Sequence, residues 1–109
     1  MTQHMSSEEG RRALAKRAGK QPESIILAQV RDWLRWKGWY VIRIQQGMGA
    51  HKGMSDLVCI RDGETVYVEC KTKTGKQSAR QQAFQTEIEN HGARYFLTRG
   101  IEDLEEVLR

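Results

Sequence analysis

The chain has 109 residues, 39% of them hydrophobic and 29% charged, with a formal charge of +4. That length builds one core but not two, and no apolar run comes near the length needed to span a bilayer. The leading Met1-Thr-Gln-His-Met5 carries no apolar signal region, so a cytoplasmic, intracellular protein is expected, and the basic balance points to a polyanion, most simply nucleic acid.

Residues 1–21 are polar and basic, with Arg11, Arg12, Lys16, Arg17 and Lys20 set against Glu8 and Glu9. They read either as a solvated tail or as a DNA-contacting arm ahead of a globular domain spanning residues 22–109, with Met5 as an alternative natural start. Pro22 suits the first turn of a helix running to about Lys37 and stopped by Gly38. At 100° per residue, Ile26, Leu27, Val30, Trp33 and Leu34 make one apolar stripe, and Glu23 falls in its middle at the N-terminal end. A carboxylate there needs a partner or a pocket, unless it serves only the helix dipole. Trp33, Trp36 and Trp39 read as core or interface residues, with a stacking platform for bases as the alternative.

Tyr40 to Ile44 reads as a strand, followed by a glycine-rich loop from Gln45 to Gly53 carrying His51 and Lys52. The glycine spacing is not that of a Walker loop, so no nucleotide cofactor is expected. Strands then run from about Asp56 to Arg61 and from Thr65 to Thr72, joined by Asp62-Gly63, a strong two-residue hairpin signal. If those two residues form the loop and no bulge intervenes, Arg61 pairs with Glu64, and counting outward sets Asp56 opposite Glu69. Lys71 shares their face and Cys70 points the other way. Directly opposed carboxylates about 5 Å apart repel by roughly 3 kcal/mol at an effective dielectric near 20. A hard divalent cation with oxygen ligands is the natural compensation.

Both faces of the hairpin strands carry apolar residues, Val58, Ile60 and Tyr67 on one and Leu57, Cys59, Val66 and Val68 on the other. Helices are therefore expected on both sides of the sheet. Cys59 and Cys70 face away from Asp56 as reduced, buried thiols, and no zinc-type spacing is present. After the basic turn Lys73-Thr-Gly-Lys76, Ser78 and Gln81 form a capping-box pattern opening a helix to about Asn90, with Phe84 and Ile88 on its buried face. Gly92 ends that helix, Ala93 to Thr98 makes a fourth strand, and Ile101 to Leu108 a short acidic helix. The fold class expected is α/β, with a four-stranded sheet flanked by helices.

Glu23, Asp56, Glu69 and Lys71 are thus the parts that phosphodiester hydrolysis uses. Acidic oxygens hold Mg²⁺ or Mn²⁺, and a lysine beside them orients water and offsets developing charge. The backbone carbonyl of Cys70 offers a further hard ligand. His51 reads as a phosphate contact or an ordinary loop residue rather than a general base, and Lys52, Lys73, Lys76 and Arg80 as phosphate contacts that position DNA without reading its sequence.

The ordered set Gly53-Met-Ser-Asp56, Val68-Glu69-Cys-Lys71-Thr and Gly75-Lys-Gln-Ser78-Ala-Arg-Gln81 resembles the PD-(D/E)xK nuclease superfamily. More narrowly, it is similar to the virus-type replication-repair nuclease (VRR-NUC) family in its short, stand-alone phage or bacterial form, over about Glu23 to Thr98. Ser55 stands where the superfamily's proline is usual. The resemblance implies an αβββαβ core with a mixed sheet, and divalent-metal-dependent DNA cleavage. It makes Asp56 and Glu69 the metal-binding acids, Lys71 the catalytic lysine, Glu23 the first-helix acid (a ligand directly or through water) and Gln81 a glutamine beside the site. It also implies a homodimer acting in DNA repair on branched DNA such as four-way junctions, with flap cutting in larger relatives. A DNA-binding module without activity and a sequence-specific nuclease are the competing readings.

Overall fold

The computed structural model describes residues 21–109, so the basic arm and the alternative start at Met5 lie outside the described residues, Gln21 excepted. Helix α1 spans Glu23–Trp36, and strands β1 (Tyr40–Arg43), β2 (Leu57–Arg61) and β3 (Glu64–Cys70) follow it. Helix α2 (Ala79–Asn90), strand β4 (Arg94–Thr98) and the short helix α3 (Glu102–Glu105) complete the order. The four strands form one mixed sheet in the order β1-β2-β3-β4. β1/β2 and β2/β3 pair antiparallel, β3/β4 parallel. A parallel pair needs a crossover connection, and α2 supplies it. This is the α/β architecture expected from the sequence.

Local chemistry accounts for the boundaries. Pro22 precedes α1, and Gly38, at φ +93°, lets the chain reverse into β1. Asp62 and Gly63 both take positive φ, 51° and 78°, as a primed hairpin turn requires. The turn sets the pairing Arg61↔Glu64 through Leu57↔Val68, with no bulge, so the face assignments above follow. At α2 both halves of the capping box form: Ser78 Oγ accepts from Gln81 N, and Gln81 Oε1 accepts from Ser78 N at 2.8 Å.

The core lies on one side of the sheet. Ile26, Val30 and Leu34 of α1 pack with Val41, Leu57, Cys59, Val66, Val68 and Cys70, and Leu104 and Leu108 close the cluster from the C-terminal segment. Burying each such side chain contributes roughly 1.5–3 kcal/mol, which is why the stripe on α1 points inward; Glu23, at its N-terminal end, is exposed rather than core-facing, because it stands at the rim where the stripe runs out. Both cysteines are free and buried. Desolvation pushes the Cys59 thiol up to about 12 and Cys70 higher still, so neither is a reactive thiolate.

The opposite face carries α2, so helices lie on both sides of the sheet as expected, but α2 covers that face only in part. α2 lays Phe84 edge-on against Tyr67 and tilted over Tyr95, shielding β3 and β4. Tyr40, Ile42 and Ile60 of β1 and β2 remain exposed on that face. The tryptophans also divide: Trp39 is core, Trp33 packs partly against it, and Trp36 is 79% exposed beneath the ammonium of Lys37. No helix among the described residues is long and apolar enough to cross a membrane.

Candidate functional site

Asp56 sits one residue before β2. Its carbonyl accepts from Ile44 N at 2.8 Å, its N–H donates to Glu69 Oε1 at 3.2 Å, and its Oδ2 accepts from Cys70 N at 2.8 Å. Side chains thus replace the main-chain ladder where the hairpin opens: Glu69 is held by the main chain of Asp56, and Asp56 by that of Cys70, next to Glu69. Glu69 is 1% exposed. Its Oε2 accepts from Gln81 Nε2 at 2.9 Å and lies 3.3 Å from Lys71 Nζ. Burial first, then the neighbouring Asp56 carboxylate, raises the Glu69 pKa to about 7, against the opposing pull of the Lys71 ammonium.

Glu23 reaches this pair from the first turn of α1. One carboxylate oxygen from each of Glu23, Asp56 and Glu69 lies within 4.8 Å of the others. Two oxygens on one ion at metal–oxygen distances of about 2.0–2.6 Å can be no more than about 4–5 Å apart, so the spacing suits a shared ion. The donor set is all oxygen, without imidazole or thiolate, which favours a hard cation such as Mg²⁺ or Mn²⁺ over zinc. Among the described residues, these three acids have only Lys71 and a more distant guanidinium, that of Arg43, to balance them, which leaves the site short of positive charge. The residues fit a divalent cation.

Gln81 reads from sequence as either a cap or a site residue, and its two ends take both places. Its carbonyl oxygen is committed to the Ser78 N–H and its amide nitrogen to Glu69. The cap thereby orients the amide so that it can only donate to the carboxylate.

The proposed phosphate contacts divide into two groups. Lys52 and Arg80 line adjoining clefts between the 45–55 loop and α2, and His51 lines the outer one, its ring edge-on to Phe84 at 5.7 Å. Lys73 and Lys76 lie on the separate turn after β3. The loop's approach to α2 requires Gly53: at φ +79°, a Cβ there would stand 2.2 Å from the Arg80 carbonyl oxygen. A Gly53→Ala variant is therefore expected to lose about 2 kcal/mol or more of stability. Thermal unfolding within a degree of wild type would contradict this.

Arg43 and Arg99 escape the sequence reading, and Ser55, noted there as a departure from the related pattern's proline, gains a contact. Arg43 donates to the carbonyls of Ile44 and Asp56 and comes within 3.9 Å of Asp56 Oδ1. The only sequence signal for it is the parity of β1, and the partner of β1 is not readable in advance. Ser55 is fully buried and its hydroxyl donates to the Leu57 carbonyl at 3.0 Å, fixing the turn into Asp56 where the related pattern has proline. Arg99, beyond the end of β4, binds the turn after β3.

Comparison with solved structures finds a chain titled VRR_NUC domain, with a TM-score of 0.70 at 20% identity over 80% of this chain and 97% of that one. At that identity the likeness is one of fold. No curated protein matches the chain. A family model described as Archaeal Holliday junction resolvase (Hjc) matches residues 15–89. With well over half its length covered by that match, the chain belongs to the archaeal Holliday junction resolvase family, a family of the PD-(D/E)xK nuclease type.

Proposed function

We propose that the chain is a Mg²⁺- or Mn²⁺-dependent endodeoxyribonuclease that cuts branched DNA, four-way junctions foremost, by water attack on phosphorus. The observation that carries this reading is the convergence of the Glu23, Asp56 and Glu69 carboxylates beside the Lys71 ammonium in a chain of the resolvase family. When bound, the divalent ion lowers the pKa of its water and polarises the phosphate.

The protein groups do the rest. Asp56 and Glu69 are the principal ligands, Glu23 adds a third carboxylate directly or through water, and the Cys70 carbonyl, between Glu69 and Lys71 in the chain, is a fourth oxygen. The Lys71 ammonium, held beside Glu69, offers its remaining donors to the attacking water and to the charge that builds on the phosphate. Gln81 holds the Glu69 carboxylate in one orientation. Lys52 and Arg80 on one side, with His51, and Lys73 and Lys76 on the other grip the backbone. The nuclease domain is residues 22–109, with the basic arm before it.

Incubating wild type and Lys71→Ala with linear duplex, flap and four-way-junction DNA, in Mg²⁺ or in EDTA, tests the reading. Metal-dependent cutting of the junction, lost in the variant, is expected. Binding without cutting in any metal would instead mark an inactive binding module, and cutting confined to one linear sequence a restriction-type enzyme.

The homodimer belongs to the same proposal. Tyr40, Ile42 and Ile60 leave apolar surface bare on the Asp56 face of the sheet, and a second copy placed there would bring two sites to one junction. Sedimentation should give twice the 12.6 kDa chain mass, and Ile42→Lys should shift it to the monomer. A monomeric wild type at micromolar concentration would remove the dimer from the reading.

A further inference from the structure

Arg99 is the first residue past β4, and β4 runs parallel to β3, so it emerges level with the end of β3. Lys71 N donates to Thr98 O at 2.9 Å, tying the two strand ends together. From there Nη1 of Arg99 reaches the main chain of the following turn, donating to the carbonyls of Thr72, of Lys73 at 3.3 Å and of Gly75 at 2.7 Å. The backbone N–H of Arg99 is itself held by Asp103 Oδ2 at 2.8 Å. Inside the turn, Gly75 N donates to Thr72 Oγ1 at 3.0 Å, and a Cβ at Gly75 would crowd that hydroxyl.

The charge pattern makes this placement informative. Lys71, Lys73 and Lys76 already crowd this segment, and a further cation adds to their mutual repulsion. Its guanidinium is held by three carbonyl dipoles, while the Asp103 carboxylate takes the backbone N–H, so the turn itself contributes no anion to offset the charge. The turn is thus rigid, strongly basic, and joined directly to Lys71.

We infer that Arg99 is a positioning residue: by gathering the carbonyls of Thr72, Lys73 and Gly75 it sets the turn that presents Lys73 and Lys76 to the phosphates of DNA entering the site. This rests on the nuclease reading above. All three carbonyls are gathered by one nitrogen, Nη1, so the side chain is anchored to the main chain of the turn.

The test joins a readout on the free protein to one on DNA. In Arg99→Met, hydrogen exchange at the Gly75 amide, followed by NMR, should accelerate at least about tenfold while the melting temperature stays within a few degrees. With junction DNA, KM should rise about tenfold with kcat within about twofold, and the slope of log affinity on log salt should fall by about two, the loss of two phosphate contacts. In the Lys73→Ala/Lys76→Ala background, the same change should add almost nothing, because the residues through which it acts are gone. Unchanged Gly75 exchange, or an additive loss in the double-lysine background, would overturn the positioning role while leaving the nuclease reading intact. A wild type that neither binds nor cuts DNA would remove both.

Discussion

An Asp56→Asn variant should melt higher than the parent chain in EDTA and yet fail to cut DNA. The substitution keeps what position 56 does for the fold: the backbone N–H still reaches Glu69, and the side-chain oxygen still accepts from Cys70 N. What it removes is one of three carboxylates that converge within 4.8 Å. Two charges about 5 Å apart at an effective dielectric near 20 repel by roughly 3 kcal/mol. Part of that is already relieved by protonation of Glu69 and by Lys71, and the neutral amide forfeits the weak attraction of Arg43. A net gain of about 1 kcal/mol is therefore expected, which for a domain of this size is roughly 4–8 °C in melting temperature. Activity should move the opposite way, by about a thousandfold or more, since the metal's stabilisation of the transition state is worth several kcal/mol. Differential scanning calorimetry in EDTA and a junction-cutting assay in Mg²⁺ measure the two effects. A variant that melts lower, or one that still cuts, would contradict the view that these acids are kept together for an ion and not for the fold.

The hairpin at the centre of the site is legible in the sequence because one dipeptide fixes it. Asp62-Gly63 admits a two-residue primed turn, and once that is set the period of two carries Asp56, Glu69 and Lys71 to one side of the sheet. The helix starts are legible for the same reason: Pro22 and the Ser78/Gln81 box act within four residues of where they stand. Glu23 is readable because the stripe that buries Ile26, Val30 and Leu34 also aims the residue ahead of it.

Contacts that depend on which elements lie side by side are not readable. The three-carbonyl hook of Arg99 spans 24 to 27 positions, and it exists because β4 is parallel to β3, which no local pattern encodes. Arg43 reaches Asp56 only because β1 pairs with β2. Gly53 looks like one more loop glycine until α2 is brought up against it. The partial cover of the site face is hidden for a related reason. Tyr40, Ile42 and Ile60 alternate as buried strand residues would, and only the path of α2 over β3 and β4 shows that β1 and β2 are left bare.

The second large effect is on pH. Glu69 is raised from its ordinary 4.5 to about 7 in the folded, metal-free protein, by burial first and by Asp56 second. Between those two values the folded state binds a proton that the unfolded chain has released, so stability without metal is fully present below about pH 4.5. It is lost as pH rises through about 7, by at most about 3 kcal/mol. Metal binding carries the opposite slope, because the ion must displace that proton. Affinity for Mg²⁺ or Mn²⁺ should therefore climb about tenfold per pH unit up to about pH 6, then flatten through about pH 7. Calorimetric titrations at about pH 5.5, 6.5 and 7.5, paired with melts in EDTA at the same values, would show both trends. An affinity that does not change with pH, or a metal-free protein that grows more stable toward pH 7, would contradict the assignment to Glu69. The two causes can then be separated with the first variant. If burial is the larger, Asp56→Asn should lower the midpoint of the metal-free stability curve without restoring it to 4.5, because Glu69 stays buried beneath Gln81 and Lys71 whatever stands at position 56. A midpoint that fell the whole way would make charge repulsion the main cause, and the site would then be strained by its acids rather than by their removal from water.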